Sequence, residues 1–257
     1  MLLDSHSHIQ FVNEFPDVEA VIKRAEQNDV NMQILVSCNP KDSFTLPVFL
    51  KKYSGKNFWG TVGVHPHDAN RLSDNVLKDF KDLIGREKKI IGIGEVGLDY
   101  FRNIQPGDIQ KKAFIDQLNL AKELDLPVVI HVRDAYEDAF KILEEMKMKK
   151  VILHTFGGNM DLARRSWDNG YYTSFSGVIT YPKNEYLRDI VAEAPEELIL
   201  IETDCPYLPP QKYRGQRNEP AYVAEVAREI AMVRRMDFEL VAEITTNNAI
   251  KAFNLPI

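Results

Sequence analysis

Cysteine is scarce in this chain: 257 residues carry only Cys38 and Cys205. Two thiols make no disulfide framework in a chain this long, and a reducing compartment is the expectation. No stretch approaches the roughly 18 uninterrupted apolar residues of a membrane span, so no membrane partner is expected. The opening Met1-Leu2-Leu3-Asp4-Ser5-His6 lacks the basic start and long apolar stretch of a secretory signal. A cytoplasmic protein follows. Gly/Ser/Pro-rich linkers are missing too, which favours a single domain over residues 1–257. Nor is there an excess of positive charge: 32 Lys+Arg stand against 38 Asp+Glu, a net −6. A surface of that balance does not attract nucleic acid through its bulk field, so any such substrate must be held locally.

The apolar and charged fractions, 44% and 27%, are those of a globular protein and exclude a disordered, collagen-like or coiled-coil chain. Short apolar runs alternate with longer amphipathic stretches, the pattern of repeated strand–helix units around a parallel sheet. Eight runs stand out: Leu2 to His6, Met32 to Ser37, Phe58 to Val64, Ile90 to Gly94, Pro127 to His131, Val151 to His154, Tyr171 to Phe175 and Leu198 to Thr203. Between them, Gln110 to Leu124 and Asp138 to Met146 repeat apolar residues at three- and four-residue spacing, as helices do. Two more helical patterns, Pro220 to Arg234 and Phe238 to Phe253, follow the last run. Eight units in a chain of this size predict a (β/α)8 TIM barrel, with a doubly wound open sheet as the competing arrangement. Lys147 to Lys150 reads as a solvated helix end.

All six histidines, His6, His8, His65, His67, His131 and His154, fall at or just beyond the ends of expected strands. Parallel α/β folds gather their active sites at the carboxyl ends of the strands, so these residues should converge. In Asp4-Ser5-His6-Ser7-His8 the two imidazoles share a face and can chelate one cation, although an isolated His-x-His is also compatible with two core or surface histidines. Glu95, between Gly94 and Gly97, ends a buried apolar run. Such a carboxylate needs a partner, either an arginine or a pair of metal ions that it bridges. His131, His154 and Asp204 each follow an apolar run, and singly each could be a hydrogen-bonded core residue. Together with His6 and His8 they point to a metal site of nitrogen and oxygen donors suited to Zn, Mg or Mn.

These motifs carry a resemblance. Asp-Ser-His-Ser-His, Gly-Val-His65-Pro66-His67, Gly94-Glu95-Val96-Gly97-Leu98-Asp99, Ile130-His131-Val132-Arg133, Glu202-Thr203-Asp204-Cys205-Pro206 and Arg214-Gly215-Gln216-Arg217-Asn218-Glu219-Pro220 occur in order over essentially the whole chain. The sequence resembles the TatD family of metal-dependent deoxyribonucleases, a branch of the amidohydrolase-like barrels. The resemblance implies two divalent metal ions. His6, His8 and Asp204 would hold one and His131 and His154 the other, with Glu95 bridging them. It also implies hydrolysis of DNA phosphodiester bonds, often from the 3′ end. Without a basic exterior the expected substrate is a single strand or a frayed end, and no obligate protein partner is evident in the sequence. Two departures from the family pattern, Gln10 and Thr155-Phe156-Gly157-Gly158, bear on substrate preference rather than on the ligand set.

On this reading a metal-activated water attacks, and Asp204 accepts its proton or acts only as a ligand. Arg133, and Arg217 ahead of Arg214, are candidates to hold phosphate, unless they order their loop, for instance by pairing with Glu219. His65 and His67 are candidates for substrate contact or leaving-group protonation. Tyr100, Phe101 and Tyr207 either stack on bases or wall the pocket. Two rival functions remain at this point: hydrolysis of amide, lactone or ester bonds on the same barrel, and non-catalytic metal or DNA binding. Barrels of the first kind often bridge their metals with a modified lysine where this chain has Glu95.

Overall fold

The structure is a computed structural model and describes residues 1–256. Eight parallel strands pair in chain order: β1 (Leu2–Ser7), β2 (Val30–Val36), β3 (Asn57–Val62), β4 (Ile90–Asp99), β5 (Val128–Arg133), β6 (Val151–Leu153), β7 (Tyr172–Phe175) and β8 (Ile199–Ile201). Each expected run overlaps one strand, and β4 runs five residues further than its apolar run suggested, to Asp99. The helices are α1 (Val18–Gln27), α2 (Pro40–Lys52), α3 (Asp74–Arg86), α4 (Gly107–Leu124), α5 (Tyr136–Glu145), α6 (Met160–Asp168), α7 (Glu185–Glu193), α8 (Val223–Arg234) and α9 (Phe238–Phe253). Several begin on side-chain caps legible in the sequence. Asn39 accepts from the Asp42 amide ahead of Pro40, and Asn159 accepts from that of Leu162. Pro220 opens a 3-10 turn that leads into α8. Lys147–Lys150 lies in the turn beyond α5 rather than on its last helical turn, with Lys150 paired to Asp125.

The sheet closes, which sets aside the open doubly wound alternative. Ser7 bridges Cys205 in parallel, the Asp204 amide donates to the His6 carbonyl at 2.9 Å, and the His8 amide donates to that of Cys205 at 3.0 Å. Asp4 reinforces the junction, its carboxylate accepting from the Thr203 amide at 2.9 Å and from the Thr203 hydroxyl at 2.5 Å. Closure therefore sets Asp204, which follows β8, beside the two histidines of β1.

Strand alternation divides the core. Leu2, Val62, Ile93, Ile130, Leu153 and Phe175 pack outward against the helices, with Phe80, Phe114 and Phe140 among their partners. Leu3, Ile34, Trp59, Ile91, Val129, Ile152 and Leu200 form a second, inner cluster that Ala249, Ala252, Phe253 and Leu255 join. The carboxyl end of α9 thus plugs the barrel floor, leaving the opposite mouth for chemistry.

Candidate metal centre

Local irregularities aim the site residues. The register of β1 against β2 slips between Asp4 and Ser7, and that of β4 against β5 slips between Ile93 and Val96, at the positions carrying His6 and Glu95. Such bulges re-aim side chains next to active sites. Gly97, at φ +142°, admits the backbone of β5, since a Cβ there would lie 2.0 Å from the His131 carbonyl oxygen.

Two groups of donors result. Nε2 of His6 lies 3.2 Å from Nε2 of His8, and these atoms lie 3.7 and 3.4 Å from Oδ1 of Asp204. A point equidistant from the three is about 2.0 Å from each, the bond length of zinc to nitrogen or oxygen. Beside it, Nδ1 of His131 and Nε2 of His154 are 3.2 Å apart and lie 3.1 and 2.9 Å from Oε1 of Glu95. The second Glu95 oxygen, Oε2, turns to His6 Nε2 at 3.6 Å. One carboxylate thus offers an oxygen to each group. Among the described residues no Arg or Lys pairs with Glu95, so the arginine ion pair is set aside.

The outer nitrogens of these rings test whether the residues suit a cation. Nδ1 of His8 meets the Val36 carbonyl at 2.7 Å, Nδ1 of His154 meets Glu202 at 3.2 Å, and Nε2 of His131 lies 3.4 Å from Asp99. For His8 and His154 the outer nitrogen faces an oxygen acceptor that can hold the proton there and turn the other nitrogen's lone pair inward, as in a ligating histidine; the outer Nδ1 of His6 and Nε2 of His131 are buried without a hydrogen-bond partner. In the metal-free protein a proton held against Glu95 or Asp204 relieves the crowding of these inward nitrogens, and a bound cation would take its place. The residues fit a metal centre.

His65 behaves differently. Its Nδ1 accepts the His67 amide at 3.1 Å, so Nε2 carries the proton and donates toward Oε1 of Glu95, 3.4 Å away. Burial pushes this imidazole down to about 4, in keeping with a neutral ring. His67 pairs with Asp99 at 2.7 Å and is a third exposed.

Electrostatics bind the cluster together. Burial would raise the Glu95 carboxyl, but the histidines ringed around it, His154 and His65 foremost, hold it well below the carboxylate range. Burial opposes protonation of His154, yet Glu95 and Glu202 outweigh it and raise the imidazole well above its ordinary value. Burial pushes the Asp4 carboxyl up to about 8, against its bonds from Thr203.

Four residues at the centre escaped the sequence reading. Cys38 places Sγ 3.6 Å from Oε2 of Glu95, and Asp4, Asp99 and Glu202 each brace a neighbour. Cys38 lies just beyond β2 as His154 lies just beyond β6, and that position was the available signal. Of the expected substrate contacts, Arg133 lies over the Phe101 ring at 3.8 Å, with no carboxylate partner among the described residues. Arg217 is held by Asp17 at 2.7 Å and by the Glu14 carbonyl at 2.8 Å. Glu219 pairs with Arg24 at 2.6 Å, not with a neighbouring loop arginine. Arg214 lies over Tyr181.

A closed (β/α)8 barrel with a buried histidine–carboxylate cluster at the strand ends defines a metal-dependent hydrolase fold and site. The comparisons agree: the family described as TatD related DNase matches residues 3–254. The chain belongs to the TatD family of metal-dependent hydrolases. It is 39% identical to the metal-dependent hydrolase YabD of Bacillus subtilis, itself uncharacterized, over 99% of this chain and 100% of YabD. It is 33% identical to the 3′-5′ ssDNA/RNA exonuclease TatD of Edwardsiella piscicida, over 93% of this chain and 94% of that protein. The crystal structure of YjjV, a TatD homologue from Escherichia coli, superposes with a TM-score of 0.93 at 30% identity, covering 99% of this chain and 98% of YjjV.

Proposed function

We propose that the protein is a deoxyribonuclease that hydrolyses phosphodiester bonds at single-stranded or frayed DNA ends, from the 3′ end. The observation that carries this reading is the divided Glu95 carboxylate, one oxygen toward His6 and the other toward His131 and His154. It supports a bridging role between two divalent cations, Zn, Mg or Mn. The likeness to the Edwardsiella exonuclease adds the choice of nucleic acid as substrate.

His6, His8 and Asp204 would hold one ion, His131 and His154 the other. When bound, such a pair lowers the pKa of a water molecule and draws charge from the phosphoryl oxygens. Asp204 has its Oδ1 beside His8 and Oδ2 for other work, and it accepts the proton that the attacking water gives up. Arg133, unpaired by any carboxylate and braced on Phe101, offers its guanidinium fork to a phosphate. His67, oriented by Asp99 and partly open to solvent, reaches the leaving oxygen, while His65 steadies Glu95. Arg217 would meet phosphate only by sharing its fork with Asp17. The net charge of −6 agrees with holding DNA at this centre rather than over a basic exterior.

The test is hydrolysis of 3′- and 5′-labelled single- and double-stranded DNA by metal-stripped protein with Mg²⁺, Mn²⁺ or Zn²⁺ restored. Metal-dependent shortening that Glu95→Ala abolishes supports the reading and reports its polarity. A folded, loaded protein that leaves every DNA substrate intact overturns it and directs the next assay to amide and ester bonds.

A further inference from the structure

A groove of about 590 Å³ opens between the loop after β1 and helix α2. Phe11, Val12 and Tyr207 contribute to its lining, as do Val48, Phe49 and Tyr53 of α2. Its volume is in the range of small-ligand sites. Val12, Val48 and Tyr207 are each more than half exposed, an unusual concentration of open apolar surface.

The groove borders the metal centre through its aromatic lining. Phe11 stacks on the candidate ligand His8 with ring centroids 4.8 Å apart, and Tyr207 meets the same ring edge-on at 6.3 Å. Gln10, also in the lining, donates to the Val36 carbonyl at 2.8 Å, the carbonyl that His8 meets through Nδ1. Oε1 of Gln10 is buried without a partner. The groove's charges, Lys41 and Lys52 against Glu14 and Asp42, balance, and Lys52 is engaged by Glu19. A phosphate finds no net attraction here, whereas a flat aromatic ring finds a wall to stack on.

Building on the nuclease reading, we propose that this groove takes the nucleobase next to the scissile phosphate of a single-stranded end, with Phe11 and Tyr207 as its stacking surfaces. Arg133 and the metal centre would then hold the phosphate while the groove holds the base. Stacking accepts any base, so the groove selects for an unpaired nucleotide rather than for sequence.

The test compares single strands carrying either a normal or an abasic nucleotide at the cleaved end, and bis(4-nitrophenyl) phosphate serves as a phosphodiester that is not a nucleic acid. Val48→Asp alters the exposed α2 wall, far from the metal donors in sequence, and Tyr207→Ala removes a stacking ring. The proposal expects each to raise KM for the normal strand about tenfold. KM of Val48→Asp for the abasic strand should stay as in the wild type. Equal KM for normal and abasic strands in the wild type, or normal-strand KM unmoved by both substitutions, overturns the groove while leaving the nuclease intact. Hydrolysis of bis(4-nitrophenyl) phosphate with neither cleavage nor binding of any strand removes the nuclease reading, and the groove's occupant with it.

Discussion

Glu202 faces Nδ1 of His154 at 3.2 Å, and the same ring presents Nε2 to Glu95 at 2.9 Å. The buried Glu202 oxygen that does this also accepts the amide and hydroxyl of Thr155. Thr155 is a β-branched residue held at φ +40°, a conformation that persists only where surrounding bonds over-determine it. Glu202→Gln should therefore weaken metal binding about 10- to 100-fold, read by competition with a chelating dye. Unchanged affinity would show that His154 needs no such brace.

The same carboxylate carries a pH signature. Burial would raise its pKa, but His154 draws it down to about 2 from the ordinary 4.5. A pKa depressed in the folded state means stabilisation that is complete above 4.5 and lost as the pH falls toward 2, on the order of 3 kcal/mol for the pair counted once. Urea denaturation of metal-free protein across that window should show a steep decline. The Glu202→Gln variant should start less stable and decline less.

Removing the carboxylate shared by both donor groups should disturb both. Glu95→Ala is expected to cut bound metal, measured by elemental analysis of protein dialysed against a fixed metal concentration, to less than roughly half the wild-type content. Full retention would mean that Glu95 is not a ligand.

Asp204→Asn keeps the shape of the side chain and one potential donor oxygen but removes its basicity. Turnover should fall about 100-fold or more, while strand affinity changes far less. Equal losses in kcat and in binding would assign Asp204 to ligation alone.

Gly97→Ala probes the backbone beneath the site. The added methyl would sit 2.0 Å from the His131 carbonyl oxygen at a φ of +142°, so strands β4 and β5 must part. A loss of about 3 kcal/mol or more in stability is expected by thermal or denaturant unfolding. A Tm within a degree of wild type would contradict the close approach.

The barrel and the candidate ligand positions were legible because parallel strands are buried on both sides and read as apolar runs. A ligand-type residue at the end of such a run stands out, as His131, His154 and Asp204 do. Asp99, Glu202 and Cys38 were not legible as part of the centre. Asp99 and Glu202 act on a ring nitrogen presented by another strand, a relation set by closure and tautomer rather than by local pattern. Cys38 drew notice only as a thiol, since its nearness to Glu95 depends on how β2 and β4 end in space. For Arg217 sequence position suggested phosphate, whereas the fold brings Asp17 of a distant segment to its guanidinium.

The plug at the barrel floor has a consequence for biosynthesis. Leu3 and Leu255, near opposite ends of the chain, belong to one inner cluster. While the residues of α9 are still inside the ribosome, every strand has emerged but the barrel is open beneath Leu3, Trp59 and Leu200. The nascent chain then shows apolar surface at the end of the molecule remote from the histidines. A chaperone acting on this protein would meet that end, and its release would coincide with the docking of Phe253.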